Sequence, residues 1–229
     1  WSEQGLCLVL PLGGLGRGAL RRRYGRRGAH GSSLAIRRHL ATKRRAFGLA
    51  PTATVLGMDP RLAASVDRAE ITDVVHRYCR GIDRRDFDIV RACFHPDATD
   101  RHGAEPRSLD DFVAWVDRLT ARYRMTQHLI ASVVVDLAGD VAAVESNGVA
   151  VHRSDDPSPH LNLVTGFRYL DRFERRDDTW AIAERTGVAS WSLPITAEQW
   201  WDAPADHVAG RRNRDDPLYA LLGSLGADL

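Results

Sequence analysis

An α+β fold is predicted for this chain, a mostly antiparallel sheet curling around helices that precede it, and three observations predict it. Apolar residues recur at helical spacing between about residues 65 and 119. From residue 125 to residue 191 they recur in β-branched runs separated by turn signals, and the two kinds of segment do not alternate. Helices segregated ahead of strands argue against βαβ units, and a single sheet layer must bury its apolar face against those helices.

The 229 residues, 44% hydrophobic and 27% charged, suffice for one good core and exclude a disordered polymer. The formal charge of +2 hides an asymmetry. Residues 1–57 hold eleven of the 32 Lys and Arg side chains against one acid, Glu3, for +10; the remainder holds twenty-one against twenty-nine, for −8. An acidic body is not a nucleic-acid binder. The first segment is rich in Gly and Arg (RRRYGRRGAHG, RRHLATKRRAF), lacks a sustained apolar period and reads as a disordered extension. A targeting peptide, a nucleic-acid-binding arm and upstream sequence ahead of a natural start at Met58 are its three readings, and the last is preferred. The apolar run AFGLAPTATVLGM holds Pro51 and two threonines, weak for a signal, and only Tyr24 and Phe47 interleave the basic stretch. No apolar run approaches the roughly 20 residues of a membrane span. Cys7, Cys79 and Cys93 are odd in number and show no CxxC spacing, which argues against a disulfide framework or zinc site and fits a cytoplasmic protein.

Within the body, expected over 58–191, Ser65 or Asp67 is placed to cap a helix with Ile71, Val74, Val75, Tyr78, Cys79 and Ile82 on one face. Gly81 and the run Asp83 to Asp86 break it. Asp86 caps a short second helix carrying Phe87, Val90, Cys93 and Phe94, which Pro96 ends. Ser108 and Asp111, at capping-box-like spacing, open a third helix with Leu109, Phe112, Val113, Val116 and Leu119. MTQHLIASVVVDL and VAAVESNGVAVHR flank Ala138-Gly139-Asp140 as one hairpin; LNLVTGFRYLDRFERR and TWAIAERTGVASW flank Asp177-Asp178 as another. The tail, residues 192–229, with Trp200 and Trp201, is expected to be ordered only by docking, as a lid or a subunit contact.

The runs YCRGIDRRDFDIVRACFHPDA (Tyr78–Ala98), MTQHLIAS (Met125–Ser132) and FERRDDTWAIAER (Phe173–Arg185) resemble, in order and spacing, the SnoaL-like branch of the nuclear transport factor 2-like superfamily. The helix-end Asp83 and the strand His128 look like those of scytalone dehydratase and the bile-acid 7α-dehydratases. The resemblance implies a cone-shaped α+β barrel around an apolar pocket, and a homodimer or homotrimer. It does not choose among the superfamily's dehydratases, isomerases, cyclases and non-catalytic binders.

His128 sits in an otherwise apolar strand on the parity of Thr126, Ile130, Ser132 and Val134, and a buried imidazole there needs a partner. The resemblance implies that Asp83 is that partner. A carboxylate accepting the imidazole N–H fixes its tautomer and raises its basicity. For a substrate with a hydroxyl β to a carbonyl, His128 would remove the α proton and return a proton to the departing hydroxyl. Tyr78 matches a pocket tyrosine of the bile-acid enzymes and would donate to the carbonyl oxygen, unless it is core. Ser132 shares the parity of His128 as a substrate-binding candidate. Asn147, with Glu145, faces either the cavity or the surface. Arg101 and His102 fall near the second tyrosine of scytalone dehydratase and contact a polar substrate end, or form a solvated loop. Gly166 falls near that enzyme's second histidine, and His152, the nearest substitute, is expected at the surface.

Two functions compete. One is a cofactor-free, metal-free dehydratase or isomerase, a lyase-type enzyme acting on a small hydrophobic cyclic substrate of polyketide or steroid type. The other is a non-catalytic binding module or accessory subunit, like the small subunit of a ring-hydroxylating dioxygenase, for which the lack of a second histidine argues.

Overall fold

The computed structural model describes residues 59–158 and 160–226, so the basic extension expected over 1–57 lies outside the described residues. Helix α1 (Pro60–Arg84) begins ahead of the expected caps: Asp59 accepts the Arg61 N–H at 2.8 Å, with Pro60 in the first turn. Ser65 bonds back to the Arg61 carbonyl, while Asp67 accepts from Trp180 Nε1 at 2.9 Å and Arg175 at 2.7 Å and so ties the helix to the sheet. Ile71, Val75, Tyr78, Cys79 and Ile82 are buried along one stripe. Gly81 does not break the helix. It marks the close approach of α2 (Phe87–Ala92), where a Cβ would meet Val90 Cγ2 at 2.8 Å. The helix ends at Arg85, whose φ of 53° is left-handed. Asp83 therefore belongs to the last helical turn.

Helix α2 stops at Ala92, and Phe94, expected on it, instead opens strand β1 (Phe94–Arg101), followed by β2 (Arg107–Ser108) and helix α3 (Leu109–Thr120), whose cap Ser108 accepts the Asp111 N–H at 3.2 Å. Pro96 is tolerated because the ladder between Phe94 and Thr99 is irregular and asks no N–H of it. The hairpin strands are β3 (Met125–Leu137), β4 (Val141–Arg153), β5 (Leu163–Arg176) and β6 (Thr179–Pro194). One six-stranded sheet results, in the order β2-β1-β6-β5-β4-β3, antiparallel except for the β1–β6 pair. No ladder joins its edges β2 and β3, so the cone is open rather than a closed barrel. A cluster including Ile71, Tyr78, Phe94, Phe112, Phe173 and Ile182 fills the space between helices and sheet.

One irregularity governs what faces that space. The β3–β4 register runs Ile130↔Gly148 and then Ser132↔Asn147, leaving Ala131 as a bulge. Thr126, His128 and Ile130 point inward before it, as do Val133 and Val135 after it, while Ser132 and Val134 turn outward. Near the sheet's middle, Arg185 of β6 forms a fully buried two-pronged ion pair with Asp171 of β5, at 2.8 and 2.6 Å. Its guanidinium lies 4.1 Å from the ring centroids of both Tyr78 and Tyr169. Helix α4 (Pro217–Ser224) closes the described chain; Tyr219 donates to Asp86 at 2.8 Å and Arg84 bonds Asp216, so the tail docks on the body. Among the described residues, no helix is long and apolar enough to cross a membrane.

Candidate active site

Asp83 and His128 meet. The imidazole Nδ1–H donates to Asp83 Oδ1 at 2.7 Å, the His128 backbone N–H donates to Oδ2 at 2.8 Å, and the Thr126 hydroxyl donates to Oδ1 at 3.0 Å. Three donors converge on one carboxylate. With Nδ1 engaged, Nε2 is the ring nitrogen left for chemistry, and it has no hydrogen-bond partner among the described residues. The last turn of α1 supplies the carboxylate and the inward parity of β3 supplies the imidazole.

Arg212, from the tail, supports this turn from behind. Its guanidinium donates to the carbonyls of Asp83 (3.0 Å), Thr120 (2.8 Å) and Tyr123 (2.6 Å), and to the Thr126 hydroxyl at 3.3 Å. Burial lowers its pKa to about 10, which leaves it charged at neutral pH. No sequence signal marks Arg212 among its neighbours in GRRNRDD.

His128 lines a cavity whose walls also include Tyr78, Phe112, Trp115, Phe167 and Tyr169. The space open to the centres of water-sized molecules is about 90 Å³, room for several waters or one small ring. Tyr78 is buried in the wall, its ring edge-on to Phe94 and Tyr169, and burial pushes its hydroxyl above the ordinary range, so it remains a donor.

His152 corrects the expectation of a surface histidine. It follows Ala150, the register partner of His128, on the same face of β4; it is buried, and its ring lies 6.0 Å from that of His128 and 4.9 Å from Tyr123. Its Nδ1 is buried with no partner among the described residues. Burial, reinforced by His128, pushes its pKa from the ordinary 6.5 down to about 3. Folded His152 therefore stays neutral where the unfolded chain takes up a proton. Its stabilising contribution is complete above about pH 6.5 and is lost as the pH falls towards 3. His152→Phe is expected to flatten this acid limb, read as the difference between urea midpoints at about pH 7 and about pH 4.

The other predicted binding residues divide. His102 lines the cavity, whereas Arg101, its neighbour of opposite parity, is exposed. Ser132 and Asn147 lie outside the cavity, Ser132 because of the bulge at Ala131 and Asn147 by the regular alternation of β4: they pair with each other on the outer face, Asn147 Nδ2 donating to Ser132 Oγ at 3.4 Å. Glu145 bonds Arg168 there. His95 is tied to the backbone, its Nε2–H donating to the Glu174 carbonyl oxygen at 3.0 Å. Burial raises Cys79 to about 12 and Cys93 to about 11, so both are unreactive thiols.

The profile of the SnoaL-like domain matches residues 63–186. Among solved structures, hexachlorocyclohexane dehydrochlorinase LinA-type3 from Novosphingobium barchaimii LL02 is 16% identical with a TM-score of 0.56, over 62% of this chain and 99% of its own. A protein provisionally named scytalone dehydratase, from Novosphingobium aromaticivorans DSM 12444, is 17% identical with a TM-score of 0.53, over 64% and 97%. The Kfla4162 protein from Kribbella flavida is 24% identical with a TM-score of 0.53, over 57% and 95%. At such identities the likeness shows a shared fold. No curated protein sequence matches the chain significantly.

Proposed function

The chain belongs to the SnoaL-like domain family, and from that premise we propose that it is a cofactor-free enzyme of dehydratase or isomerase type, moving a proton at the carbon α to a carbonyl of a small hydrophobic cyclic substrate. The observation that carries this reading is the Asp83–His128 pair, fixed by three donors at the wall of an aromatic cavity. Two of the fold neighbours, a dehydrochlorinase and a protein named as a dehydratase, bear the names of elimination reactions, which supports the same class.

In the proposed reaction His128 Nε2 takes the α proton, and the C–H electron pair moves into the carbonyl to give an enolate. The Tyr78 hydroxyl donates to the enolate oxygen. The His128 imidazolium, stabilised by Asp83, then gives its proton to the β-hydroxyl, the enolate re-forms the carbonyl, and water leaves with the C–O electron pair. His152, neutral beside the pair, adds no competing positive charge. A second histidine, His152, standing near His128 favours the enzyme reading over that of an accessory subunit. The enzyme would act as a homodimer or homotrimer, a reading supported by the exposed Leu129, Val134 and Leu170 on the outer face of the sheet.

Incubation with 3-hydroxycyclohexanone tests the reaction: growth of conjugated enone absorbance above the uncatalysed rate is expected, and an equal rate with His128→Ala protein would overturn the assignment. Arg212→Ala is expected to lower that turnover roughly 10- to 100-fold by loosening the Asp83 turn, since small misplacements of catalytic groups carry costs of that order. Steady-state kinetics at saturating substrate read it, and no change would show that the Arg212 bonds do not position the pair.

A further inference from the structure

The cavity holds a second histidine–carboxylate pair. His102 Nδ1–H donates to Asp100 Oδ1 at 2.6 Å, and Asp100 is 1% exposed, its Oδ2 having no partner among the described residues. As in His128, the Nδ1 side is committed to a carboxylate, and Nε2 has no hydrogen-bond partner among the described residues. The two pairs come from different walls: α1 and β3 build one, and the end of β1 builds the other.

The His102 ring is held in place by its surroundings. It stacks on Phe112 (centroids 5.6 Å apart, planes at 16°), leans on Trp115 at 6.0 Å and meets the edge of Tyr169 at 5.7 Å. Strand β6 passes behind it at Gly187, where a Cβ would come within 2.7 Å of His102 Cδ2. A side chain at 187 is excluded by the imidazole itself. Between the two histidines lie Phe167 and Tyr169, whose centroids are 4.6 Å apart. His128 contacts Phe167 at 5.8 Å and His102 contacts Tyr169. An apolar aromatic floor thus separates two anchored imidazoles that line one cavity.

We propose that His102, held by Asp100, is a second substrate-contacting imidazole, gripping an oxygen substituent on the side of a cyclic ketone remote from the carbon that His128 deprotonates. The substrate class narrows accordingly, to rings carrying two oxygen functions on separated positions, with the apolar ring edge over Phe167 and Tyr169. A hydrogen bond to a bystander oxygen is made equally in the ground state and the transition state, so it appears in KM rather than kcat. This assignment rests on the reading of His128 as the enolising base.

The test compares 4-hydroxycyclohexanone, with its hydroxyl across the ring from the carbonyl, with cyclohexanone, which has none. Exchange of the α protons for deuterium in D2O is followed by proton NMR. It needs only that His128 take a proton from carbon, exchange it with solvent and return a deuteron. The wild-type chain is expected to prefer the hydroxylated ketone by roughly 10-fold or more in kcat/KM, through KM, because a site built around an imidazole discriminates against a ligand that leaves it unpaired. His102→Phe, which keeps the stack on Phe112, is expected to collapse that preference to about twofold or less; His102→Asn provides the same readout should the phenylalanine variant fold poorly.

A wild-type enzyme without the preference, or a preference that survives in both variants, overturns the assignment while leaving His128 as base. Absence of any exchange by wild type overturns the base assignment instead. The subsite is then decided by nitrogen-15 NMR of the labelled full chain. His102 ring nitrogens that shift with 4-hydroxycyclohexanone and not with cyclohexanone sustain it, and identical or absent shifts refute it.

Discussion

His128→Ala protein is expected to lose enone formation from 3-hydroxycyclohexanone by about 10²- to 10⁴-fold, the range that a positioned general base supplies. Asp83→Asn should approach the same loss for a different reason. The carboxylate accepts three donors, including the His128 Nδ1–H. An Asn side chain has one oxygen and one NH2, so turning the NH2 towards Nδ1 forces the imidazole to carry its proton on Nε2. The ring would keep its place and present a donor where the reaction needs a base. Initial rates against pH distinguish the two variants from misfolding, provided that both retain the wild-type urea midpoint. Wild-type rates from Asp83→Asn would show that the contact is structural and not a catalytic dyad.

The largest effect on stability is expected at the Arg185–Asp171 pair. Both side chains are inaccessible to solvent, and the pair is bidentate. Arg185→Met leaves a carboxylate in the core with no cation, a change that typically costs about 3–5 kcal/mol. The guanidinium's contacts with the Tyr78 and Tyr169 rings are lost with it. Replacing both partners, as Arg185→Met with Asp171→Leu, removes the unpaired charge and is expected to recover most of the loss. Urea unfolding at fixed pH measures both, and a single variant within about 1 kcal/mol of wild type would mean that water or a neighbour compensates the buried acid.

Local pattern made much of the architecture legible. The α1 stripe, the Ser108 cap and both hairpins follow from spacings within a dozen residues, and the Asp83–His128 encounter follows from helix-end and strand-interior placement once the resemblance is noticed. Strand β1 was hidden because FHPDATDR contains a proline and three charged side chains in place of an apolar run; its ladder partner, β6, lies about 90 residues along the chain. Arg212 was illegible for a related reason. It reaches Asp83 across 129 positions, and nothing in an exposed-looking arginine announces which carbonyls it will find. The end of a strand beside an acidic loop reads as surface, which hides His152, although Thr126 opposite it is buried.

The bulge at Ala131 means that β3 is written in two frames. Up to Ile130 the even-numbered side chains face inward, and Thr126 and His128 among them line the cavity; beyond it the odd-numbered ones do, with Val133 and Val135 packed into the core, while Ser132 and Val134 meet the outside. Deleting Ala131 would join Ile130 directly to Ser132 and keep the pairing of Ser132 with Asn147, so the strand would become regular while Val133 and Val135 stayed inward. The extra residue therefore offsets the numbering of the strand by one without moving a side chain across the sheet: cavity wall, core and outer face are three separate stretches of one strand, and a change in one need not disturb the others.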